Sequence, residues 1–195
     1  MSKIRKSERT RDEILDAAWA LIAERGAEIS LAEIAGAVGM TRQSIYVHFG
    51  SRAGLLVALV RRADARADIH RKFMVALTAA EPRTRLRACL GVWFDLVPEI
   101  YPVARDLVRL RGGDSDAAAA WDDRMSELRR IYRSLSRGLH DAGLLAPHWT
   151  AARAADFLWA GSSVEAWGLL TVERGWSAAS AADAIIQSME RTLLR

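Results

Sequence analysis

The sequence predicts an all-α protein, and three observations carry that prediction. Alanine, leucine and arginine, which all favour helices, supply 35, 22 and 25 of the 195 residues. Proline occurs only four times, first at Pro82. Apolar residues recur every three or four positions, as in the seam from Trp121 to Leu139, so each expected helix has one apolar face for a core.

The first half of the chain is divided into helices by glycines and by residues that cap helix ends. Asp12 and Asp16 favour the start of a first helix, and Gly26 is expected to end it. Ser30 and Glu33 have the spacing of a capping box, which opens the second helix. The expected helices run from near Arg9–Asp12 to Gly26, from Leu31 to Val38, from Arg42 to Phe49 after the cap Thr41, and from Ser51 to Phe73 or Leu77.

The region after Pro82 predicts five more helices. Pro98 is expected to end the first of them, the pair Gly112–Gly113 the second, and Gly143 the third. Serine, threonine and aspartate side chains at suitable positions open the last three. These five helices cover Leu86–Val97, Tyr101–Leu110, the seam from Trp121 to Leu139, Thr150–Arg174 and Ser177–Leu194, which gives about nine helices in the whole chain.

Composition excludes several classes of protein. With 51% hydrophobic and 27% charged residues, the chain is expected to fold in water rather than remain disordered. No apolar run approaches the roughly 20 residues that a membrane span needs, and the charged N-terminus lacks the apolar stretch of a signal peptide. Cys89 is the only cysteine, which excludes an intramolecular disulfide. We therefore expect a cytoplasmic protein with no membrane partner.

Two short helices joined by a turn at Gly39 and Met40 have the spacing of a helix-turn-helix. In that motif the second helix enters the major groove of DNA, with its N-terminal residues nearest the bases. Arg42, Gln43 and Ser44 occupy that end, and their side chains suit guanine, adenine, and either a base or a phosphate. The spacing alone leaves open an ordinary helical hairpin with a solvated polar end.

The charge distribution supports a polyanionic partner. Residues 1–80 carry 13 basic and 9 acidic side chains, whereas residues 81–195 carry 15 of each. The whole net charge of +4 therefore lies in the part that holds the helix-turn-helix. A solvated basic face is the alternative explanation of this surplus.

A fixed pattern runs through the first third of the chain. Its members are Thr10, Arg11, Ile14, Leu15, Ala18, Gly26, Ile34, Ala35, Gly39, Met40, Thr41, Ser44, Ile45, Tyr46, His48, Phe49, Ser51, Arg52, Leu55 and Leu56. This pattern resembles the N-terminal signature of TetR-family transcriptional regulators. Gln43 stands where that family commonly has glycine, so the operator sequences of its members do not transfer to this chain.

The resemblance implies a homodimer that binds a palindromic operator in double-stranded DNA. It also implies repression until a small-molecule effector binds. We expect a three-helix DNA-binding domain over residues 1–50, followed by a helical ligand-binding and dimerisation domain over residues 51–195. The alternative is a helical small-molecule-binding protein whose helix-turn-helix has no DNA function.

The same resemblance suggests roles around the second helix of the motif. It gives Thr41 and Tyr46 contacts to the DNA backbone and positioning roles, places His48 beside a phosphate, and makes Arg52 a phosphate ligand. Phe49 is expected in the core. A buried His48 without DNA contact and a solvated Arg52 are the alternatives.

Three basic residues, Lys3, Arg5 and Lys6, precede the expected first helix. They are expected to form a flexible arm over the phosphates or in the minor groove, or else a disordered tail.

Six of the seven tryptophans lie in the second region, where a pocket for a small apolar or aromatic effector is expected. Ligand pockets are mostly apolar with a few polar groups. The candidate lining residues are Trp93, Phe94, Trp159, Ser163 and Trp167. The alternative is that these rings belong only to the core.

By analogy with the family, the last two helices are expected to pair with those of a second copy. The candidate interface residues share a face of the final helix and are Ala182, Ile185, Ile186, Met189 and Leu193.

An enzyme is not expected. The sequence has no glycine-rich phosphate loop and no cysteine or histidine pair at zinc spacing, and its four histidines are scattered. We therefore predict no catalytic residue, no metal site and no cofactor.

Overall fold

The computed structural model describes residues 2–26 and 28–195, with side chains from Ser7 onward apart from residue 27. The regular secondary structure of this part of the chain is helical apart from one isolated β-bridge between Leu145 and Leu194, which confirms the predicted all-α class. Its α-helices are α1 Ser2–Arg25, α2 Leu31–Ala37, α3 Arg42–Phe49, α4 Arg52–Arg66, α5 Ile69–Leu77, α6 Pro82–Leu110, α7 Ser115–Asp141, α8 Ala151–Gly161, α9 Val164–Gly168 and α10 Ala178–Leu193. A short π-helical segment, Leu169–Glu173, follows α9.

The chain divides into two compact units, of which the first comprises Met1–Ala63 and Pro102–Arg124. It contains α1, α2 and α3, most of α4, the end of α6 and the start of α7. Apolar side chains that are almost completely buried form its core, and they include Ile14, Ile22, Ile34, Ile45, Leu55 and Leu107. The expected domain boundary between residues 50 and 51 does not coincide with a boundary of these compact units and stays a prediction.

The second unit comprises Asp64–Tyr101 and Met125–Arg195. Most of the predicted seam of α7 lies in this unit and is buried there, with Met125, Leu128, Tyr132, Leu135 and Leu139 all inside. Trp93 is completely buried in the same core. The heptad-like spacing therefore predicted a packing face correctly.

The first helix and the fourth differ from their predicted limits. Helix α1 already begins at Ser2, whereas the sequence predicts a start near Arg9–Asp12. The single helix expected from Ser51 to Leu77 is broken at Asp68, which adopts a left-handed backbone with φ of 50°. Aspartate tolerates that conformation better than most residues because its short polar side chain bonds locally, here with Arg71.

Pro98 does not end a helix, contrary to the prediction, and α6 continues through it to Leu110. A proline in a helix removes one backbone hydrogen bond and crowds the preceding turn. Here the neighbouring apolar positions Val97 and Ile100 are both buried. Their burial favours a continuous helix more strongly than proline disfavours it.

The long helix expected over Thr150–Arg174 is divided at Ser162. The backbone carbonyl of Ser162 accepts a hydrogen bond from Trp93 Nε1 at 2.7 Å, and its hydroxyl accepts one from Tyr132 at 2.7 Å. Ser163 then caps α9, since its side chain accepts a bond from the backbone of Ala166. Buried partners that are distant in sequence therefore hold this break in place.

Candidate nucleic-acid interface

A capping box fixes the start of α2, and one glycine allows the turn between α2 and α3. Ser30 caps α2 and Glu33 bonds back to the Ser30 backbone, so the predicted capping box is confirmed. The bond from the Ser30 backbone, with further bonds from Ser30 and Arg25 side chains, lowers the pKa of Glu33. Gly39 in the turn has φ of +65°, a conformation that side chains with a Cβ rarely adopt.

Thr41 caps the N-terminus of α3, and its side chain accepts a hydrogen bond from the backbone of Ser44. The hydroxyls of the two residues also lie 3.0 Å apart. Both polar side chains therefore stand at the N-terminal end of α3, where the sequence analysis placed them. That end of a helix favours anions such as phosphate.

The outward face of α3 combines polar groups with one aliphatic side chain. Arg42 and Gln43 are exposed. Arg42 Nη2 donates to the Tyr46 hydroxyl at 3.1 Å, and its guanidinium lies 5.4 Å from the Tyr46 ring centre. Val47 is 77% exposed although it is apolar. Sequence reasoning missed Val47, for which the available signal was an aliphatic residue four positions after Gln43 on the polar face.

The inner face of α3 is attached to α1. Ile45 is completely buried, and Arg11 Nη1 donates to the backbone carbonyl of His48 at 2.6 Å. The Arg11 guanidinium also lies 4.3 Å from the centre of the Phe49 ring. His48 and Phe49 are both half-buried, so Phe49 is not the fully buried core residue that was expected. Arg11, which sequence reasoning assigned only to the family pattern, positions α3.

The turn from α3 into α4 depends on a second close approach. Gly50 has φ of +73°. At Gly54, in the first turn of α4, a Cβ would lie 2.0 Å from the backbone carbonyl oxygen of Phe49. A side chain at position 54 therefore forces the end of α3 and the start of α4 apart.

Arg52 is engaged within the first unit. Its Nη1 donates to Asp114 Oδ2 at 2.5 Å, and its side chain is only 22% exposed. Asp114 also accepts bonds from the backbones of Asp116 and Ala117 at the start of α7. Partial burial by itself raises the pKa of Asp114, but the bonds from Ala117 and Arg52 outweigh it, so the net pKa is lowered. The expected role of Arg52 as a phosphate ligand therefore competes with an ion pair.

The expected basic arm does not form a segment that precedes the first helix, because α1 already begins at Ser2. The backbones of Lys3, Arg5 and Lys6 lie within α1. Their side chains lie outside the described part of the structure.

The predicted pocket residues do not come together around one of the two cavities described for the second unit. Trp93 and Phe94 are buried in the core, Trp167 packs on Tyr101 with ring centres 5.1 Å apart, and Ser163 caps α9. Trp159 alone among the five lines one of these cavities, a groove between α7 and α8. The other four residues pack in the core or cap a helix.

The expected dimer face is also revised. Ile186, Met189 and Leu193 are buried in the second unit's own core, so they cannot form an exposed surface. Ala182 and Ile185 are half-buried. The exposed large apolar side chains near the C-terminus are instead Leu169, Val172 and Trp176. An apolar stripe at helical spacing predicts burial but does not say against which surface.

Three further observations concern the cysteine, metal ligands and membrane spans of the described residues. Burial raises the pKa of the Cys89 thiol to about 11, which keeps it protonated and unreactive near neutral pH. No group of three or more metal-ligating side chains in residues 7–26 and 28–195 could hold a metal ion. Within the described ranges, no helix combines the length and the apolar character that crossing a bilayer requires.

Comparison with known proteins connects the described helix-turn-helix to one family. Residues 14–59 match the family model of bacterial regulatory proteins, tetR family. An uncharacterised HTH-type transcriptional regulator of Mycobacterium tuberculosis is 40% identical over 84 residues, which are 42% of this chain and 41% of that protein. The chain thus matches about two fifths of the length of its curated relatives. The matched family consists of regulators rather than enzymes, as the sequence analysis predicted.

Solved structures share the whole fold at low identity. A transcriptional regulator from Saccharomonospora viridis, solved in complex with choline, has a TM-score of 0.75 and 21% identity, with 96% of this chain and 99% of that chain covered. The regulator FadR from Bacillus subtilis, in complex with stearoyl-CoA, has a TM-score of 0.74 and 16% identity, with 92% and 97% covered. At these identities the likeness describes the fold alone.

Proposed function

We propose that the protein is a transcriptional regulator that binds a specific palindromic operator and releases it when a small molecule binds, because residues 14–59 match the family model of bacterial regulatory proteins, tetR family. The observation that carries the proposal is the outward face of α3. Arg42, Gln43 and Val47 on that face are exposed and contribute nothing to the core. We assign DNA reading to residues 1–50, and effector binding and dimerisation to residues 51–195.

Each exposed side chain of α3 has a base edge that it fits. Arg42 forks to guanine, and its bond to Tyr46 holds the guanidinium in one orientation before DNA binds. Gln43 suits adenine, and Val47 suits the methyl group of thymine. We propose these three residues as the sequence-reading set.

Contacts to the sugar-phosphate backbone set the register of α3 in the groove. Thr41, Ser44, Tyr46 and His48 are proposed for this role, with Lys3, Arg5 and Lys6 at the head of α1. Arg52 enters the proposal as a positioning residue, because its guanidinium is already paired with Asp114.

A homodimer is proposed because two-fold symmetry matches an inverted-repeat operator. Stable dimers bury large apolar surfaces, and Leu169, Val172 and Trp176 are exposed apolar side chains that lie within eight positions of one another. Ile185 and Ala182 on α10 are half-buried and remain candidates for the same interface. We expect such a regulator to work in the cytoplasm.

The proposal is tested by fluorescence anisotropy with a duplex from upstream of the coding sequence and a shuffled duplex of equal length. We expect tighter binding to the upstream duplex, a preference for an inverted repeat, and an affinity that falls steeply with salt. Equal affinity for both duplexes at physiological salt contradicts the proposal. A chain that binds small molecules but neither duplex supports the alternative, a helical binding protein without DNA function.

A further inference from the structure

A groove of about 440 Å³ lies in the second unit between α7 and α8. Its size falls within the range of small-molecule sites. The lining residues are Arg129 and Arg133 from α7, with Ala155, Asp156, Trp159 and Ala160 from α8. The effector prediction from sequence identified only Trp159 among them.

The groove carries positive charge that the described residues do not neutralise. Arg129 and Arg133 are four positions apart on α7, which places them on one side of the helix, and both are exposed. Within the described ranges, neither guanidinium forms an ion pair with a carboxylate. Asp156, the one acidic residue in the lining, also has no ion pair there. Two arginines against one aspartate leave the groove with a surplus of one positive charge.

The groove also offers an aromatic surface. The Arg129 guanidinium lies 4.4 Å from the centre of the Trp159 ring, a distance typical of cation–π contact. Trp159 Nε1 is buried and finds no hydrogen-bond acceptor among the described residues.

We propose that this groove binds a small organic anion, with a carboxylate or phosphate held by Arg129 and Arg133 and a flat apolar part against Trp159. Guanidinium groups form paired hydrogen bonds to carboxylate and phosphate oxygens, which makes two neighbouring arginines selective for such a group. Binding itself is independent of the proposed DNA function. That the anion acts as the effector rests on that function.

The test uses calorimetric titration with 2-naphthoate and its neutral isostere 2-naphthamide, in the absence of DNA. We expect 2-naphthoate to bind at least about tenfold more tightly than the amide. Arg133→Gln should abolish that preference and leave binding of the amide unchanged. The matched control is Arg130→Gln, which changes an exposed arginine of the same helix that does not line the groove. Trp159→Phe should weaken both ligands.

Three results at a fixed protein concentration overturn the proposal. They are equal affinity for acid and amide, equal effects of Arg133→Gln and Arg130→Gln in variants with unchanged melting temperatures, and no binding at about 1 mM ligand. Binding that disappears as the protein concentration rises would identify a second copy as the occupant, and it overturns the proposal too.

A separate titration of the upstream duplex, with and without 2-naphthoate, tests the effector role. We expect the bound anion to weaken DNA binding and DNA to weaken anion binding by the same factor. Failure of DNA binding in the absence of anion contradicts the proposed function and leaves the groove assignment standing. Failure of anion binding with DNA binding intact contradicts the groove assignment and leaves the proposed function standing.

Discussion

Arg52 donates to Asp114 across 62 positions of sequence, with Nη1 and Oδ2 2.5 Å apart. The pair connects the first turn of α4, immediately after α3, to the residue that caps α7. A second arginine of α4, Arg61, makes a similar pair with Asp123 of α7, also across 62 positions. In the first unit, α4 and α7 are therefore joined at two points.

Replacing Asp114 should separate its role as the cap of α7 from its role in the ion pair with Arg52. Asp114→Asn keeps a good cap for α7 but removes the charge, whereas Asp114→Ala removes both and should cost about 1 kcal/mol more. Because the pKa of Asp114 is lowered in the folded chain, its ionised form stabilises the fold above the unfolded value near 3.8. That contribution is lost as the pH falls through the lower folded value. Denaturant unfolding of wild type and Asp114→Asn should therefore converge below about pH 4.

Arg52→Ala distinguishes a positioning residue from a phosphate ligand. If Arg52 is a positioning residue, its removal should lower the DNA affinity equally for all sequences. The slope of log affinity against log salt should not change. Loss of a phosphate contact would reduce that slope by about one unit. Arg61→Ala, which removes the more exposed pair, is the control and should leave DNA affinity almost unchanged.

Gly54→Ala should distort the turn between α3 and α4. The new methyl group would lie 2.0 Å from the Phe49 carbonyl oxygen, so backbone must move, at a cost of about 1–3 kcal/mol. Gly36→Ala is the matched control, because nothing lies within 4 Å of a Cβ there. Since alanine favours helices over glycine, Gly36→Ala should raise stability by up to about 1 kcal/mol. Thermal unfolding and DNA affinity of both variants check this, and equal behaviour would refute it.

The proposed contact of Val47 should involve the methyl group of a single thymine in the operator. Replacing that thymine by uracil removes only its methyl group and should cost wild type about 1 kcal/mol of binding free energy. Val47→Ala should make the protein insensitive to the exchange, a result measured by anisotropy over all operator thymines. Val75→Ala, at another exposed valine, should behave as wild type. Identical responses of Val47→Ala and wild type at every position would exclude this contact.

Two exposed valines also test the dimer surface. Val172 is 61% exposed and Val75 60% exposed, so a glutamate at either position meets a similar environment in the isolated chain. Val172→Glu should yield monomers by light scattering, whereas Val75→Glu should leave the dimer intact. Ile186→Ala, inside the core, should lower the melting temperature instead of the molecular mass. A dimeric Val172→Glu variant would place the interface elsewhere.

Features that depend on neighbours in sequence were predictable. The capping box of Ser30 and Glu33, the turn at Gly39 and the cap at Thr41 each involve residues within three positions of one another. They placed α2 and α3 within one residue of their observed ends. The position of Arg42 and Gln43 at the exposed N-terminal end of α3 followed from the same local signals.

Features that depend on distant partners were not predictable. The break at Ser162 is held by Trp93 and Tyr132, and the engagement of Arg52 requires Asp114. No local signal in one sequence reports such pairings. For the same reason the apolar stripe of α10 was correctly expected to pack, but its burial within the chain itself was not foreseen.

The tryptophans differ in surroundings enough to serve as separate optical reporters. Trp93 is fully enclosed and donates to a carbonyl, Trp159 lies beneath a guanidinium, and Trp176 is 45% exposed. A water-soluble quencher such as iodide reaches Trp176 first and Trp93 last. The emission that remains unquenched therefore reports the enclosed core, and the quenched component reports the exposed surface, without any label attached to the chain.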